Sequence, residues 1–232
     1  NALSNLNECT LTIGKGNVKN VGTERHDASL DGDTSLLVLR FERTDGKQLL
    51  LYNYACHPTV LNPSNLLITA DFPYAVEQAL DYEMVMFVNS NAGDISTRFT
   101  RKESSFAQAE AYSGILTDAI TDALAHPVYQ GTFLNFDIAQ YPIRLAVKKM
   151  PPVEVAEAEL AKYEAQLKDG KQRGLDAKQL RILASYVEGA MVSVGLSKSL
   201  QGLDDIATHF SMIELQNLKI AVVPGELFST IG

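Results

Sequence analysis

Tryptophan is absent from this 232-residue chain, and cysteine occurs only twice, at Cys9 and Cys56. Two cysteines cannot make a disulfide framework, so an apolar core has to hold the fold together. Cys56 falls within an apolar run, which reads as a buried free thiol more readily than as half of a bridge. No stretch of about 18 apolar residues occurs, so no transmembrane helix is expected. Basic residues are in deficit: 20 Lys and Arg stand against 28 Asp and Glu, a net charge of −8. That balance argues against a nucleic-acid-binding surface, which needs a basic patch. Several local catalytic and metal motifs are also missing. The chain contains no H-E-x-x-H, no C-x-x-C and no H-x-H pair, so any metal site must be assembled from distant segments. The nucleophile elbow G-x-S-x-G is absent as well, which disfavours a standard serine hydrolase.

What is present suffices for a globular α/β protein. Hydrophobic residues make up 46% of the chain and charged residues 21%, the balance of a soluble domain with a sizeable core. A cytoplasmic location is the expectation that goes with it. Residues 10–23 read as a short strand and loop. The clearest hairpin runs through 35–43 and 47–56 around Thr44-Asp45-Gly46. Both runs are nearly continuously apolar, which predicts a sheet buried on both faces. Asp71 is placed to cap a helix with Pro73 in its first turn. A buried strand is expected over 84–88 and an amphipathic helix over 104–126, stopped by Pro127. The alternation in "TFLNFDIAQYPIRLAV" predicts a strand wetted on one side. Residues 151–190 are charged and alanine-rich and read as an αα-hairpin, broken at Gly170 and Gly174. A further hairpin follows, with Asn217 near its turn. The predicted fold is a layered mixed β-sheet flanked by helices, with the αα-hairpin as an insertion. The chain opens on Asn1 and closes on "VVPGELFSTIG", so residues 1–232 are expected to be part of a larger catalytic domain.

Polar groups follow three apolar strands, and strand ends are where open sheets carry their chemistry. His57 comes directly after "LLLYNYAC" and before Pro58. It reads either as a metal ligand or as a histidine satisfied by a backbone carbonyl. "NSNAGDIS" carries Asn91, Gly93, Asp94 and Ser96 into one loop. Such a loop can bring backbone amides and a hydroxyl to an oxyanion, or it can be a capped turn. Glu226 follows a strand, Pro224 and Gly225; it can reach a metal or favour a helix N-terminus. If these ends share one edge of the sheet, a histidine and a carboxylate converge, a donor set that suits zinc. His26, His126 and His209 are poorer candidates, in a polar loop, at a helix end and within a strand run.

In these segments the chain resembles the catalytic domain of the neutral, non-lysosomal ceramidases, and more closely the short bacterial ceramidase-like proteins. "GNVKNVGTERHD", the hairpin ending in "CHPTVL", "NLLITADFPYAV", "FVNSNAGDIS" and "VVPGELFSTIG" follow the family's order, so the resemblance covers nearly everything except 151–205. It implies that His57 and Glu226 are zinc ligands and that Ser96 is the active-site serine, presented by the loop of Asn91, Ala92, Gly93 and Asp94. It also implies hydrolysis of the amide bond of an N-acyl, lipid-like substrate. The family's further histidine and tyrosine ligands have no counterpart here, so this chain supplies two of four ligands and weak zinc binding is expected. The negative charge at Asp94 points to a substrate other than ceramide. The competing expectation is a non-catalytic binding domain that uses the 151–190 hairpin as its interaction surface, in a homo-oligomer for example.

Overall fold

The structure, a computed structural model, describes residues 2–25, 27, 29–30, 32–132, 135–216 and 218–231. A 3-10 turn at Ala2–Asn5 leads into β1 (Cys9–Asn17), β2 (Thr23–Glu24), β3 (Ser35–Arg43) and β4 (Gln48–Tyr54). Helix α1 (Phe72–Ala79) and β5 (Met84–Asn89) follow, then β6 (Ile95–Ser96), α2 (Phe106–Ala125), β7 (Tyr129–Thr132) and β8 (Phe136–Ala146). Helices α3 (Val153–Gln172) and α4 (Ala177–Ser199) precede β9 (Asp205–Leu215) and β10 (Leu218–Val222). The chain divides into two compact units, one of Asn1–Ala139 with Ser211–Gly232 and one of Gln140–Phe210.

The first unit is built on a five-stranded mixed sheet in the order β5-β4-β3-β1-β7. The β3–β4 hairpin turns at Thr44-Asp45-Gly46 as expected; Arg43 N–H donates to Lys47 O at 2.9 Å, and the Arg43 guanidinium grips the Asp45 carboxylate at 2.6 Å. β5 pairs parallel to β4, so the connection between them has to cross over the sheet, and α1 makes that crossing. Asp71 caps α1 with Oδ1 accepting from Phe72 N at 2.8 Å, while Oδ2 accepts from Leu61 N at 2.9 Å. One carboxylate thus fixes both the helix start and the loop that leaves His57. Helix α2 begins at Ser105, whose hydroxyl accepts from Gln108 N at 3.1 Å. It buries Ala109, Tyr112, Leu116, Ile120 and Ala123, a stripe at helical spacing. That stripe joins Leu36, Val38, Leu50, Tyr52, Tyr54, Phe72 and Ile95 in the main core.

The expectation of a sheet buried on both faces is met only in part. On the second face Leu11, Ile13 and Leu39 cluster with Leu215 and are packed by Leu218 and Ile220. At the β5 edge that cover ends, and Met84, Met86 and Val88 are exposed. Strand β7 was not foreseen. It is four residues long with Gly131 inside it, too short and too weakly patterned to read as a strand, yet it pairs with β1 at the sheet edge. Phe133, Leu134 and Asn217, within the expected strand and turn, lie outside the described residues.

In the second unit, α3 and α4 form the expected helical hairpin, but α4 continues to Ser199 instead of stopping near 190. No proline interrupts it, and a capping box between Asp176 and Gln179 sets its start. Gly170 does not break α3. It is buried in the helix, where a Cβ would stand 2.8 Å from Leu183 Cδ1. Gly174, at φ +71°, makes the break, since a left-handed residue after a helix end favours glycine. Tyr163 and Tyr186 stack at 5.5 Å between centroids, and Lys198 pairs with Glu157 at 2.7 Å.

Candidate functional site

The Ala92–Ser96 loop is the point at which the separate segments meet. His57 leaves the end of β4 after the buried Ala55 and Cys56, and its backbone N–H donates to Ile95 O at 3.1 Å. Its ring Nδ1 lies 2.9 Å from the same carbonyl. A carbonyl can only accept, so that nitrogen carries a hydrogen, and Nε2 is the ring nitrogen left to meet another group. Facing Nε2, at 3.5 Å, is Glu226 Oε2. An imidazole lone pair and a carboxylate oxygen repel each other unless a cation stands between them, either a proton on Nε2 or a metal ion.

The spacing is a test of fit. Two donors about 2.0–2.2 Å from one zinc ion at the tetrahedral angle stand about 3.4 Å apart, and the observed separation is 3.5 Å. The Nδ1–H···O=C contact is also the kind of outer contact that orients ligating histidines. The pair therefore fits as two ligands of such an ion. Among the described residues no group of three or more His, Cys, Asp or Glu side chains is placed to hold a metal.

The loop that carries Ile95 also holds the Glu226 segment. Gly93 N–H donates to Leu227 O at 2.8 Å. A Cβ at Gly93 would stand 2.6 Å from Phe228 Cδ1 and 2.8 Å from Leu227 O, so only glycine lets the two segments approach this closely. Asp94 is buried; Oδ1 accepts from Ser229 N at 2.8 Å and Oδ2 from the Ser229 hydroxyl at 2.9 Å. One short loop thus accepts from His57 with Ile95 and grips the Glu226 segment with Gly93 and Asp94.

This arrangement changes the parts assigned to the loop residues. The amides of Ala92, Gly93 and Ile95 donate to Ser90 O, Leu227 O and Ala92 O, so they do not form the oxyanion donors anticipated from the glycine-containing loop. Asn91 Oδ1 accepts from the Ser90 hydroxyl at 2.7 Å. The Asp94 carboxylate accepts two hydrogen bonds from Ser229. Gly93 and Asp94 hold the segment that carries Glu226. Ser96 remains as a candidate donor. It sits on β6, opposite Thr23 of β2 on one side and bridged in parallel to His57 on the other. Its Oγ accepts from Arg98 N at 3.3 Å, which leaves its own hydrogen to donate.

His126 caps α2 with Nδ1 3.2 Å from Asp122 O, His209 lies in β9, and His26 lies outside the described residues. Cys56 is fully buried, and burial pushes its thiol far above the usual range. A cavity of about 580 Å³, lined in part by Phe99, Lys102, Tyr112 and Ile115, follows the chain just beyond Ser96, but His57, Ser96 and Glu226 do not line it. Sequence reasoning missed Ser229 and the Ile95 carbonyl. A carbonyl leaves no residue-type signal, and the one hint of Ser229 is its place in the same short segment as Glu226. No protein-family model matches the chain, and no curated protein matches it.

Proposed function

We propose that this chain carries part of the active site of a ceramidase-like, metal-dependent hydrolase that cleaves the amide bond of an N-acyl compound. The observation that carries this reading is the 3.5 Å approach of His57 Nε2 to Glu226 Oε2, with Nδ1–H held by Ile95 O. These two side chains would hold zinc. The chemistry such an ion supplies when bound is polarisation of the amide carbonyl and a nucleophilic water with a pKa of about 7. The Ser96 hydroxyl, whose Oγ accepts from Arg98 N–H while its hydrogen has no acceptor assigned, donates to the substrate carbonyl oxygen. Asp94 and Gly93 keep Glu226 in place through Ser229 and Leu227. The pair alone gives weak binding, so zinc affinity in this chain is expected to be modest and to fall on acidification, since the ligating imidazole must be neutral.

The test is zinc binding by titration calorimetry, together with release of fatty acid from an N-acyl amine. His57→Ala and Glu226→Gln should each remove the binding. Unchanged zinc binding in both variants defeats the reading.

A second reading, a non-catalytic interaction domain, draws on α4, whose Ile182, Tyr186, Val192 and Leu196 are exposed along one side of the helix. Under it, deleting residues 153–199 abolishes oligomerisation on size exclusion, and His57→Ala changes nothing.

A further inference from the structure

The loop between β4 and α1 carries three consecutive aliphatic residues that are left almost uncovered. Leu66 is 93% exposed, Leu67 67% and Ile68 106%. A single exposed leucine is ordinary on a protein surface; three aliphatic side chains in a row are not. The loop is anchored on either side of them. At its root the Arg101 guanidinium donates to Val60 O at 3.0 Å, and Leu61 N–H donates to Asp71 Oδ2 at 2.9 Å. At its return Asp71 N–H donates to the Thr69 hydroxyl at 2.9 Å.

The backbone of this tip finds its partners within the tip itself. Ser64 N–H donates to Asn62 Oδ1 at 2.9 Å, and Asn65 N–H donates to Asn62 O at 3.0 Å. The Asn65 side chain then serves both polar groups of Leu67: Oδ1 accepts from Leu67 N–H at 3.2 Å, and Nδ2 donates to Leu67 O at 2.9 Å. In solvent, water could do the same. In an apolar phase an unpaired N–H or C=O is costly, so internal partners are what a peptide needs to enter one. Charge points the same way. Residues 58–70 carry no charged side chain, in a chain whose net charge is −8. The tip can therefore leave water without desolvating a charge, while an anionic surface would repel the chain as a whole. Exposure adds the element of shape. A protein partner would need a preformed pocket for three side chains that stand this free, whereas the fluid edge of a lipid layer closes around them.

We infer that Leu66, Leu67 and Ile68 form a lipid-insertion tip, through which the chain attaches to the surface of a zwitterionic lipid layer. The attachment requires neither a metal nor turnover, so it stands apart from the proposed hydrolase.

The chain has no tryptophan, so Leu67→Trp places a single fluorophore at the tip. With phosphatidylcholine vesicles its emission should shift to the blue and be quenched by phosphatidylcholine brominated on the acyl chains. The unaltered chain should sediment with sucrose-loaded phosphatidylcholine vesicles, and Leu66→Ser/Leu67→Ser/Ile68→Ser should weaken that partition about a hundredfold. No sedimentation with the vesicles, or sedimentation unchanged in the serine variant, overturns the inference. A preference for phosphatidylglycerol vesicles that added salt abolishes also overturns it, because the attachment is then one of charge. So does a blue shift of Leu67→Trp that grows with protein concentration in the absence of lipid, since a second copy of the chain then covers the tip. Should the serine variant fail to fold, Leu67→Trp decides alone: quenching by the brominated lipid upholds the tip, and its absence overturns it.

Discussion

At the scale of single residues, the account depends on which atoms of a side chain are already engaged. His57 was legible as a candidate because a histidine closing an apolar strand is unusual, but its type could not distinguish a ligand from a carbonyl-satisfied core residue. The structure gives the two nitrogens of the ring different neighbours: Nδ1 meets the Ile95 carbonyl, and Nε2 faces Glu226. Asp94 was legible as a candidate by its charge, but not its partner: both oxygens accept from Ser229. Replacing Asp94 with Asn keeps the shape but weakens two hydrogen bonds to a charged acceptor; the expected loss is about 1–3 kcal/mol of stability by urea denaturation. The cysteines give a chemical check on the core. Burial raises the Cys56 thiol far above the range of a reactive cysteine, and Cys9 is raised less, with Arg43 opposing the shift. Cys56 should therefore resist a thiol reagent at pH 8 in the native protein and react once urea unfolds it, as followed by mass spectrometry.

At the scale of elements, most of the first unit was readable. The Asp-Gly hairpin, the Asp71-capped helix and the long amphipathic helix carry local signals strong enough to survive packing. β7 and the full length of α4 were not readable, because a four-residue edge strand takes its stability from β1, and alanine-rich helix has no internal stop. The loop from Ala92 to Ser96 is the element on which the site turns. Gly93→Ala should push Phe228 and Leu227 away, at a cost of about 1–3 kcal/mol in thermal or urea unfolding. It should also weaken zinc binding with both ligand side chains intact. A Gly93→Ala variant that binds zinc normally would show that Glu226 does not depend on this loop. The β3–β4 hairpin supplies a pH test. The Arg43 guanidinium holds the Asp45 carboxyl below its usual range. A lowered folded-state pKa contributes stability above the ordinary carboxylate value, near pH 4, and that contribution is lost as pH falls further. Asp45→Asn should thus lower the melting temperature at pH 6 and make little difference near pH 2.

At the scale of the whole molecule, the mixed α/β architecture was legible from the order of its elements, while the meeting of distant segments was not. His57 and Glu226 are far apart in sequence, and no spacing rule joins them. Their approach follows from a sheet that puts β4 beside β5 and from a loop that grips the final segment. The division into Asn1–Ala139 with Ser211–Gly232 and Gln140–Phe210 assigns all of the candidate site to the first unit. The central claim is that Nε2 of His57, which faces Glu226, takes a metal ion together with it. Nitrogen-detected NMR of the His57 ring during zinc titration tests this directly. The account requires a hydrogen on Nδ1 and a zinc-dependent shift of the Nε2 resonance that is lost in Glu226→Gln. A ring protonated on Nε2 in its neutral form, or a zinc response unaffected by Glu226→Gln, would contradict it.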